Sequence, residues 1–312
     1  MSASSSDWLA RLLAGDRATL ARAITAVENE SPLAGEVLRS IHPHLGKALV
    51  VGFTGPPGAG KSTLINAYLG ELRKRGMSVG VVAVDPSSPI SGGAILGDRI
   101  RMGQHAGDEG VFVRSLASRG HLGGLSRTAA RVIDVMDAAG KNVIVVETVG
   151  TGQSEVEVAE IAQTKVVVAA PGMGDDIQAI KAGILEIADI FVVNKSDLPL
   201  ADYTARHLSD LSRSLIRHGD WRPPVVRTIA TEEKGMEELA DAVIAHAVAS
   251  GVVKRSPLIR ARRLIATQAA HRLHDLLVNS QDARLDELCD RLLKGEVDLD
   301  DAAEKAIRLG GD

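Results

Sequence analysis

Cysteine and aromatic residues are scarce in this sequence of 312 residues. Cys289 stands alone, and the aromatic residues are three Phe, two Tyr and two Trp. A lone cysteine cannot form an internal disulfide, which favours the reducing cytoplasm. Few aromatic rings leave few platforms on which single-stranded bases could stack, and a net charge of −4 lacks the basic footprint of a nucleic-acid binder. We therefore expect a cytoplasmic protein with no nucleic-acid partner.

Long apolar runs are missing as well. No stretch reaches the roughly 18 consecutive apolar residues that indicate a membrane-spanning helix. Residues 1–7 show no basic region followed by an apolar core, so we expect no secretory signal and no membrane partner.

Short β-branched runs alternate with helical stretches from residue 47 onwards. The runs are rich in Val and Ile with little polar alternation, which is typical of strands buried on both faces. Helices between such strands predict an α/β fold, a doubly wound and mainly parallel sheet. The predicted strands are Ala48–Phe53, Val79–Val84, Val111–Arg114, Val143–Val146, Val166–Ala169, Ile190–Val193 and Val225–Ile229.

Both flanks of this region have helical patterns. Apolar residues recur at steps of three and four within 7–45, and the same pattern predicts two helices at 256–280 and 282–309. We therefore divide the chain into a helical N-terminal arm at 1–45, an α/β domain at 46–252 and a helical C-terminal region at 253–312.

Most of the 31 glycines lie between Gly52 and Gly183, and three of them belong to a phosphate-loop motif. The motif follows a predicted strand and opens a predicted helix, which is the context that G-x-x-x-x-G-K-[ST] requires and that a plain glycine-rich turn lacks. Its backbone N–H groups would converge on phosphate oxygens, Lys61 would neutralise β- and γ-phosphate charge, and Ser62 would offer its hydroxyl to Mg²⁺. The motif consists of Gly55, Pro56, Pro57, Gly58, Ala59, Gly60, Lys61, Ser62 and Thr63. The sequence thus predicts a P-loop NTPase.

An N-K-x-D motif, Asn194-Lys195-Ser196-Asp197, follows the predicted strand Ile190–Val193. A carboxylate at Asp197 can accept hydrogen bonds from N1–H and the exocyclic amine of guanine, whereas N1 of adenine offers only a lone pair. The spacing after the phosphate loop favours guanine recognition over a plain surface turn. We expect a further contact from the loop Ile229-Ala230-Thr231, whose backbone could approach the base O6.

Several carboxylates fall where a nucleotide-bound Mg²⁺ would need them. Glu147 ends an apolar strand, Asp85 ends another, and Asp98 lies in a glycine-rich loop; we expect all three near the metal together with Ser62. The residue that orients the hydrolytic water is harder to place, and Gln153 is the candidate. Because no general base is evident, we expect slow intrinsic turnover that a partner completes.

Three longer segments give the combination a family resemblance. They are Asp85–Met102, Glu147–Glu155 and Pro171–Gly183. Together with the phosphate loop they resemble the MeaB/ArgK/MMAA group of GTPases, the G-protein chaperones of adenosylcobalamin-dependent acyl-CoA mutases. The resemblance is dense over about 45–250 and looser in the flanks.

The resemblance implies a cytoplasmic homodimeric GTPase that binds GTP or GDP with Mg²⁺. Such proteins bind a mutase of the methylmalonyl-CoA mutase type, gate adenosylcobalamin delivery to it, and protect or reactivate it. It further implies that Gln178 and Lys181 couple the partner to the nucleotide and that the C-terminal helices build the dimer. We see no evidence that this chain itself binds cobalamin. A GTPase for metal insertion into another metalloenzyme, or a P-loop kinase, remains the alternative.

Overall fold

The computed structural model describes most of the chain, in eight segments. Contacts within the chain divide it into a larger unit, Met1–Lys254, and a smaller one, Arg255–Asp312. The described segments are 5–86, 103–105, 107–118, 124–148, 161–172, 182–215, 221–251 and 257–310.

The larger unit is built on a parallel sheet. Its strand order is β3-β2-β4-β1-β5-β6-β7, and every described pair of neighbours is parallel. The doubly wound parallel sheet predicted from the apolar runs is confirmed. The strands are β1 Leu49–Thr54, β2 Val79–Pro86, β3 Val111–Ser118, β4 Val143–Thr148, β5 Thr164–Ala169, β6 Ile190–Val193 and β7 Val225–Arg227. The last strand is two residues shorter than predicted because Ile229 leaves the sheet to form an antiparallel bridge with Lys234.

Helices cover both faces of the sheet. The helices of the larger unit are α1 Ser5–Leu13, α2 Arg17–Glu28, α3 Ala34–Ile41, α4 Lys61–Lys74, α5 Gly124–Ala138, α6 Ala182–Ile187, α7 Ala201–Ser214 and α8 Met236–Ala249. Short 3₁₀ turns lie at His42–His44, Gly103–His105 and Ala230–Glu232. Apolar side chains of α4 and α8 pack on one face of the sheet, and those of α2, α3 and α5 pack on the other. Burial on both faces explains why the strands read as continuous apolar runs.

The N-terminal helices are part of the larger unit. Leu20 and Ile24 of α2 are fully buried in the same cluster as Val132 of α5. The carboxylate of Asp137 then accepts hydrogen bonds from the backbone N–H groups of residues 46, 47 and 48, at 2.5, 3.0 and 2.9 Å. This buried aspartate fixes the path of the chain where it enters β1.

The smaller unit contains three helices among its described residues: α9 Pro257–Val278, α10 Ala283–Leu293 and α11 Leu299–Leu309. The single helix predicted over 282–309 is therefore wrong. Gly295 adopts φ +71° and terminates α10, a conformation that other residues adopt at a cost. Asp298 then caps α11 by accepting a hydrogen bond from the N–H of Asp301 at 2.8 Å. Among the helices of the described segments, none combines the length and apolarity that crossing a bilayer would need.

Candidate functional site

The phosphate loop lies between the end of β1 and the start of α4. Gly55, Gly58 and Gly60 have φ values of +142°, +81° and +85°, which side chains rarely tolerate. Space is also restricted, since a Cβ atom on Gly55 would lie 2.1 Å from the carbonyl oxygen of Val168 in β5. The glycines are therefore required by backbone conformation and by the close approach of the neighbouring strand.

Lys61 points back into the loop that precedes it. Its Nζ donates to the carbonyl oxygens of Gly55 and Pro56 at 2.6 and 3.1 Å, and the side chain is buried. A positive charge is thus held inside the loop at the N-terminus of α4, and the positive end of the helix dipole there also favours an anion. The arrangement suits a phosphate group that would exchange for the two carbonyl contacts.

Ser62 and Glu147 meet beneath the loop. Ser62 Oγ donates to Glu147 Oε1 at 2.6 Å, and both side chains are buried. The register of the sheet produces this pair, because β1 and β4 are adjacent and Phe53 is the partner of Glu147. Hydroxyl and carboxylate oxygens are the donors that a hard cation such as Mg²⁺ prefers, so the pair fits such an ion.

Asp85 belongs to the same edge of the sheet. Its backbone lies near the carboxyl end of β2, in register with Ala117 of β3, and β2 is the neighbour of β4. Its side chain lies outside the described part of the structure. The described residues contain no group of three or more His, Cys, Asp or Glu side chains that could hold a metal ion by themselves.

Asn194 joins three segments of the site. Its Nδ2 donates to the carbonyl of Ala59 in the phosphate loop at 3.0 Å. Its Oδ1 accepts from Thr228 Oγ1 at 3.1 Å and from the N–H of Ala230 at 3.2 Å. The side chain is 2% exposed. Asn194 therefore fixes the phosphate loop against β6 and the loop after β7, and a Cβ atom on Gly60 would lie 2.6 Å from its Nδ2.

Lys195 and Asp197 lie at the surface, next to the hydrogen bonds by which Asn194 tethers the phosphate loop. Lys195 has φ +55°, and its Nζ donates to the carbonyl of Gly58 at 2.9 Å. Asp197 is exposed in the following turn. A hydrogen bond to Glu232 raises the pKa of Lys234, and the negative charge of Asp197 contributes to the rise. Asp197 thus follows β6 at its carboxyl end, where Asn194 also contacts the loop after β7.

Hydrogen bonds hold the loop after β7 in place and join it to Asn194. Ile229 exchanges backbone hydrogen bonds with Lys234, which closes a tight loop. Ala230 donates its N–H to Asn194, while Thr231 is exposed. The loop predicted to approach the base is thus held at the carboxyl edge of the sheet.

Thr228 is a site residue that the sequence did not single out. It is buried, it donates its hydroxyl to Asn194, and its carbonyl accepts from the N–H of Ser196 at 3.0 Å. The one available signal was a hydroxyl residue near the carboxyl end of the predicted strand Val225–Ile229.

Four predicted site residues lie outside the described segments. They are Asp98, Gln153, Gln178 and Lys181. The structure brings the phosphate loop, Glu147 and the N-K-x-D segment together at the carboxyl ends of β1, β4 and β6, which is where open α/β sheets bind ligands. Asp85 lies at the same end of β2, and the loop Ile229–Thr231 follows β7.

Comparison with known proteins gives consistent matches. The family model described as methylmalonyl Co-A mutase-associated GTPase MeaB matches residues 20–282. A Pyrococcus abyssi protein named as a GTPase is 54% identical over 239 residues, which are 76% of this chain and 74% of that protein. GTPase ArgK of Escherichia coli is 43% identical over 244 residues, 75% of this chain and 73% of that protein. The crystal structure of a LAO/AO transport system kinase superposes with a TM-score of 0.77 at 30% identity, covering 100% of this chain and 99% of that chain.

Proposed function

The chain belongs to the family of methylmalonyl-CoA mutase-associated GTPases, and from that membership we propose that it regulates a B12-dependent acyl-CoA mutase. In this proposal the protein binds a mutase of the methylmalonyl-CoA mutase type and hydrolyses GTP to gate adenosylcobalamin delivery. It also protects or reactivates the mutase, and it binds no cobalamin itself. One observation carries the proposal: in a chain of this family, Asn194 of the N-K-x-D segment donates a hydrogen bond to the phosphate loop and so joins the two motifs.

The described residues support binding of GTP or GDP in three ways. Lys61 would leave its two carbonyl partners to neutralise the β- and γ-phosphates. Asp197 would accept from N1–H and the exocyclic amine of guanine, which adenine cannot satisfy. Lys195 would lay its alkyl stem along the purine, as its reach to Gly58 permits.

A magnesium ion would be held by Ser62, with Glu147 beside it and with Asp85 and Asp98 as further carboxylates. When bound, Mg²⁺ draws negative charge from the phosphate oxygens. Glu147 accepts a hydrogen bond from the Ser62 hydroxyl, which keeps this carboxylate beside the proposed metal ligand and favours a role at the metal over a role at an attacking water. We propose that Gln153 orients that water and that a mutase must complete the site, so that intrinsic turnover is slow. In the same proposal, Gln178 and Lys181 transmit the nucleotide state to the mutase.

We further propose that the protein acts as a homodimer in the cytoplasm. Three apolar side chains of α9, at Ile265, Leu276 and Val278, are exposed in the described structure, and their coverage by a second copy would be favourable. Cys289 is an exposed free thiol, which a reducing compartment preserves.

Co-purification with candidate acyl-CoA mutases, followed by single-turnover GTP hydrolysis with and without each one, tests this function. We expect slow hydrolysis by the protein alone and a clear increase with its cognate mutase. Lys61→Ala is the control, since it should abolish hydrolysis while leaving the fold unchanged. Failure of every mutase to bind or stimulate would overturn the mutase assignment, and equal affinity for ATP and GTP would overturn guanine recognition.

A further inference from the structure

A groove of about 290 Å³ runs between α10 and α11 of the smaller unit. Its lining residues recur at steps of three and four along each helix, so each helix contributes one face. Leu288, which is buried, and Leu309, which is half-buried, form its floor. The groove therefore combines an apolar base with open access.

The rim of this groove is strongly cationic. Arg284, Arg291, Lys305 and Arg308 line it, and Glu287 is the single carboxylate among the lining residues. Lys305 makes no ion pair within the described part of the chain. An occupant with an apolar side chain between carboxylates would match both the floor and the rim.

The arginines of the rim have partners that can be exchanged. Arg284 pairs with Asp282 at 2.7 Å and Arg308 pairs with Glu304 at 2.6 Å, and in each pair the arginine is largely exposed. Exposed ion pairs contribute little free energy. An incoming carboxylate can therefore share these guanidinium groups at small cost. The interleaved acids would repel an extended polyanion, which favours a short acidic segment.

The chain itself contains such a segment, the acidic turn Asp298-Leu299-Asp300-Asp301 at the start of α11. Leu299 is 69% exposed. Asp298 is used as the helix cap, while neither Asp300 nor Asp301 makes a side-chain ion pair within the described residues. The acidic turn is thus the chemical complement of the groove.

Leu299 of the acidic turn cannot reach the leucine floor of the groove in its own chain. Leu299 and Leu309 are ten residues apart on one helix, which holds them roughly 15 Å apart. A second copy of the chain faces no such restriction. In a two-fold arrangement each copy would supply one turn and one groove, which closes the assembly.

We propose that the acidic turn of one protomer docks in the cationic groove of its partner, with Leu299 over the leucine floor and Asp300 beside Lys305. This inference rests on the proposed homodimer and adds the surface and the electrostatic pairing that hold it.

Sedimentation velocity of the full chain at two ionic strengths, about 50 and about 500 mM, tests the pairing. Lys305→Glu and Asp300→Lys should each weaken the dimer by about tenfold or more, because each places like charges together. The double variant, with both charges exchanged, should restore the dimer to within about threefold. Higher salt should weaken the wild-type dimer and the double variant alike.

Lys294→Glu is the matched control, since it makes the same charge change in the same unit at an exposed residue that does not line the groove. It should leave the dimer unchanged. Far-UV circular dichroism of every variant checks that its helices remain folded.

If Lys305→Glu and Asp300→Lys each left the dimer as stable as the wild-type dimer, the groove pairing would be overturned and the proposed dimer would stand. A chain that is monomeric at every concentration would overturn the pairing and the dimer together, without touching the GTPase and mutase assignments. Single variants that keep the dimer but lose a co-purifying mutase would assign the groove to the mutase, and this would also overturn the pairing.

Discussion

Replacing Asn194 with alanine removes the side chain that ties the phosphate loop to the loop after β7. Three hydrogen bonds disappear, at 3.0, 3.1 and 3.2 Å, and their protein partners remain in place. Each bond contributes about 1 kcal/mol net, so we expect the free energy of unfolding to fall by about 3 kcal/mol. A domain typically has about 5–15 kcal/mol in total, so the variant should still fold.

Equilibrium unfolding in urea measures this loss. Trp8 and Trp221 both lie in the larger unit, so tryptophan fluorescence reports on the unit that contains the site. The expected result is a lower midpoint with an unchanged slope. Affinity for GDP should fall as well, by about tenfold or more, because the carbonyl of Ala59 loses its anchor.

Lys195→Ala is the matched control for Asn194→Ala. Lys195 is the next residue, is exposed, and makes one hydrogen bond to the phosphate loop. Its replacement should weaken guanine nucleotide binding while changing stability by less than about 0.5 kcal/mol. If Asn194→Ala lost less than about 1 kcal/mol, the tether would not be a structural element and the reasoning would be wrong.

Three further outcomes follow from the same contacts. Gly55→Ala should cost more than about 3 kcal/mol in thermal unfolding, because its Cβ would meet a β5 carbonyl at 2.1 Å, whereas Gly140→Ala, with φ +80° and open space, should cost only about 1 kcal/mol. The hydrogen bond from Arg73 holds the pKa of Asp108 below its usual value, so this stabilisation is present above the unfolded-state pKa and is lost as the pH falls through the folded one. Asp108→Asn should therefore lower stability by about 1 kcal/mol at neutral pH and by progressively less as the pH falls below the unfolded-state pKa, measured by urea unfolding at each pH. Asp197→Asn should shift nucleotide preference from guanine towards xanthine in a competition binding assay, and unchanged guanine preference would contradict its role.

The sheet could be predicted because its signal is local. Each strand is a short β-branched run, and burial on both faces makes the runs apolar throughout. The phosphate loop was equally accessible, since its glycine positions and flanking elements lie within one stretch of chain.

The tether at Asn194 could not be predicted in the same way. Its partners Thr228 and Ala230 are brought to it by the adjacency of β6 and β7, and Ala59 is brought by the β1 and β5 pairing. A motif reading assigns Asn194 to the nucleotide, whereas its hydrogen bonds in the structure are made to protein.

The break in the C-terminal helix was missed for a different reason. Gly295 and Asp298 are sound stop and start signals. The apolar stripe nevertheless continues across them, because α10 and α11 pack their leucines and alanines on each other. Periodicity alone therefore joined two helices that the backbone separates.

The hydrogen bonds of Asn194 also determine when the phosphate loop can fold during synthesis of the chain. The phosphate loop is complete in sequence by residue 63, yet Asn194 is 135 residues beyond its partner in that loop, and Ala230 is 36 residues further on. β1 itself lies between strands β4 and β5, which are translated about 90 and 110 residues later. The phosphate loop of a nascent chain is therefore exposed long before the residues that hold its conformation have been synthesised. Guanine nucleotide would first be retained only after residue 230 has left the ribosome.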